Sequence, residues 1–356
     1  MSLARHPLAQ SQKSQRLDHQ RHDFRFLQIA GVGLFLALPF IFASLGLTSA
    51  PYILDLLSMI GLYALLALSL NVILGMAGLF HMGHAAFFAV GAYVTANLNL
   101  TYGWSIMATL PVAAVASGFM ALLVAFPVIH LRGDYLLIVT IGIVEIVKIA
   151  LTNDIFGWTG GPNGLIGVSR PVIFGYRVVK PHDFFYLIWL MVGISTLLFH
   201  WLENSRFGRA LKYIKEDTVA AEGMGVNTTA YKLMAFVIGA AWAGMAGTIF
   251  ASKMRAISPE SFTFGESVIM FTIVILGGSG HQKGVILGAF LVMGLPELFR
   301  QFQDTRLLVY GAALVAMMIF RPQGLWPPKP RLYRLPAPYD QKYPGEEKLK
   351  DGDRSC

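Results

Sequence analysis

Long apolar stretches follow one another along most of this chain, and this feature restricts the fold more than any other. A membrane-spanning helix needs about 20 mostly apolar residues. Each stretch is continuously apolar and lacks the alternating pattern of a transmembrane β-strand. The sequence therefore predicts an all-α, polytopic transmembrane helix bundle of about eight to ten spans. The candidate spans lie near 26–46, 51–74, 78–100, 105–129, 134–151, 184–202, 231–252, 264–279, 284–299 and 306–320.

The number of spans is open at 264–279 and 284–299, which are short and are separated by GGSGHQKG (277–284). They fit two short, tilted spans or two helices that enter the membrane and turn back. The segment GGSGHQKG also differs from a nucleotide-binding P-loop, because Gly284 follows Lys283 where that motif requires Ser or Thr. We interpret it as a tight turn between the two apolar stretches.

Composition agrees with a lipid environment: 55% of the residues are hydrophobic and 13% are charged, whereas a soluble domain has about 25% charged residues. The net charge is +8. In a membrane protein, Lys and Arg collect on cytoplasmic loops and determine orientation, so we interpret this charge as a topology signal and expect no nucleic-acid partner. The one cysteine, Cys356, excludes an intrachain disulfide.

The distribution of cations predicts that both termini lie in the cytoplasm. With this orientation, 20 of the 28 Lys and Arg residues fall on inside segments and 7 on outside segments. The chain then divides into an N-terminal tail (1–25), a transmembrane permease domain (26–320) and a C-terminal tail (321–356). The fit is weakest at 152–183, an outside loop with three cations.

One charged segment interrupts the apolar pattern, at GRALKYIKEDTVAAEGMGVN (208–227) within the predicted cytoplasmic region 203–230. Glycines bracket it, as helix breakers do. A narrow, less polar stripe recurs at helical spacing and comprises Leu211, Ile214, Thr218 and Ala221. We predict one short amphipathic helix. Its residues fit either a helix on membrane lipid or a helix presented to a cytoplasmic partner.

Several stretches together resemble one known family. The charged segment is similar to the cytoplasmic coupling segment of ABC importer permeases, in the branch that serves branched-chain amino acids. SLNVILGMAGLFHMGHAAFFAVGAY (69–93), LRGDYLLIVTIGIVEIVKIAL (131–151) and TGGPNGL (159–165) resemble the first and middle parts of that family, and SPESFTFGESVIMFTIVILGGSGHQKGVILGAF (258–290) and FRPQGL (320–325) resemble its last third. The resemblance is to the LivM type of subunit and extends over about 65–325.

This resemblance implies a transport subunit of the bacterial inner membrane, not an enzyme. It implies a second permease of the LivH type, separate ATP-binding-cassette ATPase subunits that use ATP and Mg²⁺, and an extracytoplasmic solute-binding protein; no cofactor is expected on this chain. The coupling helix would dock on an ATPase. The residues implied in coupling are Gly208, Arg209, Ala210, Leu211, Ile214, Glu216, Asp217, Ala220, Ala221 and Gly225.

Candidates for the substrate path are polar residues within or beside apolar stretches. Glu266 begins the short stretch 264–279, and interrupted hydrophobic segments often mark translocation sites; an acidic first turn of a helix explains it equally well. Glu145 is a second candidate, although Lys148 lies one turn away and would pair with it. Ser267, Thr263 and Asn71 complete this set.

Two further patterns are expected to serve structure. His81 and His84 are spaced to share one helix face, but two histidines make a poor metal site, so we predict hydrogen bonding and no metal. Small residues within GAAWAGMAGTIF (239–250) predict close helix packing.

The sequence thus predicts an ATP-driven importer permease for Leu, Ile and Val. A permease of the same type for urea, short amides or other amino acids is the alternative. A secondary carrier or membrane enzyme fits less well, because catalytic side chains do not cluster and Glu145 has a nearby cation.

Overall fold

The computed structural model describes residues 50–131, 133–154, 157–173 and 175–298, together with Gly311, Val315, Ile319, Gly324 and Leu325. The predicted span at 26–46, the N-terminal tail, most of 306–320 and most of the C-terminal tail lie outside the described residues.

Ten α-helices account for most of the described chain. They are α1 (Ala50–Asn71), α2 (His84–Tyr102), α3 (Ile106–Val128), α4 (Asp134–Asn153), α5 (Pro181–Asn204), α6 (Arg206–Glu216), α7 (Thr218–Gly223), α8 (Thr228–Met254), α9 (Phe264–Gly277) and α10 (Gln282–Leu298). A π-helical turn, Val72–Met76, continues α1, and short 3₁₀ turns cover Gly161–Asn163 and Pro259–Phe262.

Among the described residues, four two-residue strands tie the loops at one end of the bundle. They are β1 (Leu165–Ile166), β2 (Val172–Ile173), β3 (Tyr176–Arg177) and β4 (Ala256–Ile257). β1 pairs antiparallel with β4, and β2 forms a hairpin with β3. The turn-rich region 159–171 is therefore attached to the end of α8.

The prediction of an all-α membrane bundle is confirmed. Within the described residues, six helical segments are long and apolar enough to cross a membrane, including α1 with its π turn and α9 with the preceding 3₁₀ turn. Most of α1 is buried by its neighbours, whereas few residues of α4 are buried and Ile138 and Ile146 lie on its outer surface. α1 therefore forms the centre of the bundle and α4 lies at its edge.

The small residues predicted to allow close packing do so where α8 meets α2 and α3. A Cβ added to Gly247 would lie 2.7 Å from the backbone nitrogen of Ala92, and one added to Gly244 would lie 2.7 Å from the carbonyl oxygen of Ala113. Thr95 on α2 and Thr248 on α8 share a hydrogen bond of 2.8 Å. The backbones come this close because no side chain separates them.

The structure corrects one predicted boundary. The stretch 78–100 was predicted to be helical from its start, but α2 begins only at His84. Gly78 has a φ of +71°, a left-handed conformation that ends the π turn. His81 consequently lies outside the helix, so His81 and His84 do not share a helix face.

The predicted tight turn between 264–279 and 284–299 is confirmed. α9 ends at Gly277 and α10 begins at Gln282. Gly278 and Gly280 between them have φ values of +107° and +87°, which glycine adopts at little cost.

Candidate functional site

The charged segment forms two helices, so the prediction of a single helix over 208–227 is wrong. α6 ends at Glu216, and Asp217 then adopts an extended conformation with a φ of −152°. The Asp217 carboxylate accepts hydrogen bonds from the backbone N–H groups of Val219 (2.8 Å) and Ala220 (3.0 Å). Asp217 thereby caps α7 and fixes the bend between the two helices.

Five of the predicted coupling residues are buried against the chain's own helices: Gly208, Ala210, Leu211, Ile214 and Ala221. Gly208 was expected to break a helix, but it lies within α6, where an added Cβ would be 2.5 Å from the carbonyl oxygen of Glu203. The burial of these residues attaches the segment to the bundle and leaves its other face exposed.

The exposed face of the segment contains the other predicted coupling residues, Arg209, Glu216, Asp217, Ala220 and Gly225. It also contains three large apolar side chains that the sequence reasoning missed. Tyr213, Val219 and Met224 are 52%, 66% and 79% exposed. Large apolar groups beside charged ones are typical of a protein-binding surface. In the sequence, these three apolar residues interrupt the polar face of the predicted amphipathic helix. That interruption is the signal by which they could have been identified.

Lys215 connects α6 to the centre of the bundle. Its Nζ donates a hydrogen bond of 2.8 Å to the carbonyl oxygen of Gly75, within the π turn at the end of α1. Desolvation of the ammonium group, together with the nearby charge of Lys212, lowers the pKa of Lys215 from its ordinary value. The charged bond to Gly75 offsets part of this desolvation cost.

The same π turn contacts the turn between α9 and α10. The side-chain oxygen of Asn71 accepts a hydrogen bond of 2.8 Å from the backbone N–H of Gly280. A Cβ on Gly75 would lie 2.5 Å from that same nitrogen. Lys215, Gly75, Asn71 and Gly280 therefore form a contiguous contact from the charged segment to α9 and α10, which we call the π-turn junction.

α9 begins at a polar cluster in which Tyr63 and Glu266 are half-buried and Ser267 is buried. The Tyr63 hydroxyl on α1 donates a hydrogen bond of 2.6 Å to Glu266. Next to it, the buried Ser267 hydroxyl accepts a hydrogen bond of 3.0 Å from the backbone N–H of Ala85 at the start of α2. The structure thus brings Tyr63 of α1 and the start of α2 to the consecutive residues Glu266 and Ser267 of α9.

The remaining path candidates lie elsewhere. Asn71 belongs to the π-turn junction, eight residues or about 12 Å along the helix from Tyr63. Thr263 is half-buried and precedes α9. Glu145 is exposed on α4, and the expected Glu145–Lys148 pair is absent among the described ion pairs, because Lys148 pairs with Glu260 at 3.1 Å.

The two histidines are fully buried near the same cluster. His84 Nε2 lies 2.7 Å from the Ser69 hydroxyl, which confirms a hydrogen-bonding role for His84. For His81 the predicted hydrogen bonding is wrong: neither ring nitrogen has a hydrogen-bond partner among the described residues, and the ring stacks on Phe87 and meets the edge of Phe236. Tyr63 and Ser69, which the sequence reasoning missed, were single polar residues in an apolar stretch and could have been marked on that ground.

The described part of the chain, a bundle of membrane-crossing helices with internal polar groups and a charged segment outside them, defines a multi-pass α-helical membrane protein.

Comparison with known proteins identifies the family. The family model for the permease component of the branched-chain amino acid transport system matches residues 52–319, so the chain belongs to this family. No solved structure matches the chain significantly.

Two relatives support the LivM type of subunit. The chain is 42% identical over 296 residues to the high-affinity branched-chain amino acid transport permease LivM of Salmonella typhimurium, with 77% of this chain and 69% of the relative covered. It is 40% identical to LivM of Escherichia coli, with the same coverage. Identity to LivH of Escherichia coli is 27%, over 74% of this chain and 90% of the relative. The predicted LivM resemblance is therefore confirmed.

Proposed function

We propose that this chain is one of two permease subunits of an ATP-driven importer for Leu, Ile and Val. A LivH-type subunit would form the other side of the path, separate ATPase subunits would bind and hydrolyse ATP with Mg²⁺, and an extracytoplasmic binding protein would deliver the substrate. The relatives named LivM and LivH support a permease pair and the substrate class.

The observation that carries the proposal is the contact between the charged segment and the bundle. A partner ATPase can drive transport only if its movement reaches the membrane helices through packed or hydrogen-bonded groups. α6 and α7 offer an exposed face with Tyr213, Val219 and Met224, while their buried face is attached to the helices. The π-turn junction continues this contact to the turn that follows α9, and Glu266 lies at the opposite end of that helix.

The start of α9 is the proposed path-lining region of this subunit. Glu266 and Tyr63 provide a hydrogen-bonding carboxylate and phenol among otherwise apolar helices. An amino acid needs polar groups to compensate its charged ends, and such groups are costly in a membrane unless they serve this kind of purpose. Thr263 and Ser267 flank the same helix start.

Transport by the complete complex tests this function. The chain, a LivH-type subunit, the ATPase subunits and the binding protein are reconstituted in vesicles, and ATP-dependent uptake of labelled Leu is measured against unlabelled Ile, Val, urea, short amides and polar amino acids. We expect Ile and Val to compete. Competition by urea or amides alone would identify the alternative cargo, and uptake by this chain without the ATPase would contradict the ATP-driven mechanism.

A surface variant tests docking separately. Val219→Asp places a carboxylate on the exposed apolar face, so we expect the ATPase to copurify poorly with the complex. Asn227→Asp, near the end of the charged segment, is the control, because it adds a charge without removing an apolar contact. Leu197→Asp would not serve, because Leu197 lies within the membrane helix α5. Equal copurification of the ATPase with both variants would contradict docking on this face.

A further inference from the structure

A cavity of about 610 Å³ lies where the end of α2, the start of α3 and the β2–β3 hairpin meet. Three arginines from separate parts of the sequence line it: Arg170, Arg177 and Arg255. Asn99 and Ser105 complete its polar wall. We call it the arginine cavity.

Hydrogen bonds hold together the loops that carry these arginines. The carbonyl oxygen of Arg255 accepts a hydrogen bond of 2.9 Å from the backbone N–H of Gly167. The Arg170 guanidinium donates a hydrogen bond of 2.9 Å to the carbonyl oxygen of Val179. Arg177 belongs to β3, which pairs with β2. The three cations are therefore held around one cavity by contacts between distant parts of the chain.

The arginine cavity is electrically positive. Within the described part of the chain its lining contains neither Asp nor Glu, and the ion pairs found there involve Lys or His and no arginine. Asp183, which follows the hairpin, instead accepts hydrogen bonds from the backbone N–H groups of Val179 (3.1 Å) and Lys180 (3.0 Å). Because neighbouring like charges disfavour one another, an anion in the cavity would relieve the repulsion between the arginines.

Aromatic side chains indicate that the cavity lies at the level of the lipid headgroups. Trp104 lines it, and the exposed side chains of Tyr102 and Tyr176 lie on the adjoining helix end and hairpin. Trp and Tyr collect at the boundary between the hydrocarbon core and water. α3, which is apolar and long enough to cross the membrane, begins at Ile106 in the cavity wall. The cavity therefore lies directly at the end of a membrane span.

An exposed apolar stripe runs along α3 away from the cavity. It comprises Ala108, Pro111, Val115 and Phe119, which are three or four residues apart and so share one helix face. We call it the α3 stripe. From its first to its last residue the helix rises about 17 Å, which is close to half of a hydrocarbon core of about 30 Å. The α3 stripe therefore has the length of an acyl chain in one leaflet.

We propose that the arginine cavity and the α3 stripe together bind an anionic phospholipid, with its phosphate group among the three arginines and an acyl chain along the stripe. Arginine binds phosphate oxygens through paired N–H groups, and basic pockets between membrane helices bind the headgroups of anionic lipids. A soluble anion would account for the cations but not for the apolar stripe that begins beside them. A neutral lipid would account for the stripe but not for the cations.

The lipid site and the charged segment lie at opposite ends of the same helices. α5 begins just after the β2–β3 hairpin and ends at α6, and its 24 residues extend about 36 Å. α8 returns from the charged segment and ends at Met254, directly before Arg255. The bound lipid would thus belong to the outer leaflet if the charged segment is cytoplasmic. Only this choice of leaflet rests on the proposed function, since the site itself needs no more than the membrane location.

Lipid titration of the purified protein tests the site. The complex that copurifies with the tagged full-length chain is freed of lipid in a neutral detergent, and binding of dioleoylphosphatidylglycerol is followed by native mass spectrometry. In the double variant Arg177→Gln with Arg255→Gln, we expect the half-saturating lipid concentration to rise about tenfold, because charge-assisted hydrogen bonds to the phosphate are lost. The melting temperature without added lipid should be no lower than that of wild type, because the change removes like charges.

Matched variants and ligands separate the cavity from the general charge of the loop. Lys180→Gln removes an exposed cation of the same loop that does not line the cavity, and it should change the half-saturating concentration less than twofold. Arg177→Lys with Arg255→Lys keeps the charge and should keep most of the affinity. Dioleoylphosphatidylcholine, which has the same chains and no net charge, should bind wild type more weakly. Glycerophosphoglycerol, the headgroup without acyl chains, should compete poorly.

Each other outcome would overturn the proposal. Equal lipid affinity in wild type and the double Gln variant, or an equal loss in Lys180→Gln, would exclude a phosphate site at the arginines. Competition by glycerophosphoglycerol or inorganic phosphate as strong as that by the lipid would identify a site for a soluble anion. Unchanged lipid binding with weaker binding of an extracytoplasmic protein would identify a protein contact. Failure of Leu uptake would contradict the proposed cargo and leave the lipid result unaffected.

Discussion

Lys215 is the single residue that most directly joins the charged segment to the membrane bundle. Its stem passes Gly78, where an added Cβ would lie 2.8 Å from Lys215 Cγ, and its ammonium group reaches the Gly75 carbonyl. Lys212, one turn earlier, makes a different contact and pairs with Glu203 at 2.7 Å. Two lysines of one helix therefore have distinct roles, which their spacing in the sequence does not reveal.

Replacing Lys215 by Met should uncouple ATP hydrolysis from transport. The change keeps the stem but removes the donor to Gly75, and a hydrogen bond to a charged group contributes about 1.5–3 kcal/mol. We expect uptake per ATP hydrolysed to fall about tenfold or more, in line with that energy, while the ATPase still copurifies. Lys212→Met is the matched control, since a partly exposed ion pair contributes about 0–1 kcal/mol. Equal uptake-to-hydrolysis ratios in the two variants would contradict the coupling role.

Replacing Tyr63 by Phe tests the polar cluster at the start of α9. Glu266 would lose its donor; an unpaired buried group costs about 1–3 kcal/mol, and the half-buried Glu266 should lose less than a fully buried one. We expect lower uptake per assembled complex, measured in vesicles together with the thermal stability of the purified complex. Tyr93→Phe is the control, because the Tyr93 hydroxyl has no hydrogen-bond partner among the described residues. Reduced stability with unchanged uptake per complex would assign Tyr63 a structural role only.

Among the elements, α8 depends most on close backbone contact, because it packs on α1, α2 and α3 through small residues. Sequence alone identified the small residues but not their partners. The pattern at 239–250 predicts that some helix approaches closely, whereas the contact of Gly244 with Ser117 and of Gly91 with Gly244 depends on how α2, α3 and α8 are arranged in space. Helix pairing is set by the whole bundle, so local spacing cannot supply it.

Gly91→Ala should destabilise the contact between α2 and α8. The new Cβ would lie 2.6 Å from the carbonyl carbon of Gly244, and overpacking a close contact costs about 1–3 kcal/mol. We expect a lower melting temperature of the purified complex. Gly142→Ala on α4 is the control, because its Cβ would meet nothing within 4 Å and Ala favours helix by about 0.5–1 kcal/mol. A melting temperature for Gly91→Ala equal to that of Gly142→Ala would contradict this packing.

The charged segment also shows where element prediction failed. The helical spacing of Leu211, Ile214, Thr218 and Ala221 predicted one helix, and a break after Glu216 left the buried residues Leu211, Ile214 and Ala221 facing the bundle. Asp217 is a favourable helix-capping residue. Because it lies in the middle of a charged run, its identity alone did not mark it as the start of a second helix. The cap is visible only through its bonds to Val219 and Ala220.

At the scale of the whole molecule, the predicted orientation is open to a direct test. Met224 on the charged segment and Tyr176 in the hairpin are exposed at opposite ends. In a Cys356→Ser background, Met224→Cys should react with an impermeant maleimide only when the cytoplasmic face is accessible, and Tyr176→Cys only from outside. The reverse labelling pattern would exclude docking of the charged segment on a cytoplasmic ATPase and would place the loops that carry Arg170, Arg177 and Arg255 inside the cell.

The sequence by itself determined the membrane location, the helical class, the family and the existence of a charged segment. Continuous apolar stretches leave backbone groups no hydrogen-bond partner in lipid except within a helix, so the membrane location and the helical class need no tertiary information. The family and the charged segment follow from local motifs and composition, which are also independent of tertiary structure. The tertiary structure decided which face of the charged segment is exposed and that Lys148 pairs with Glu260. It also decided that three arginines distant in sequence line one cavity. These outcomes depend on contacts between remote residues, and only the packed bundle brings such residues together.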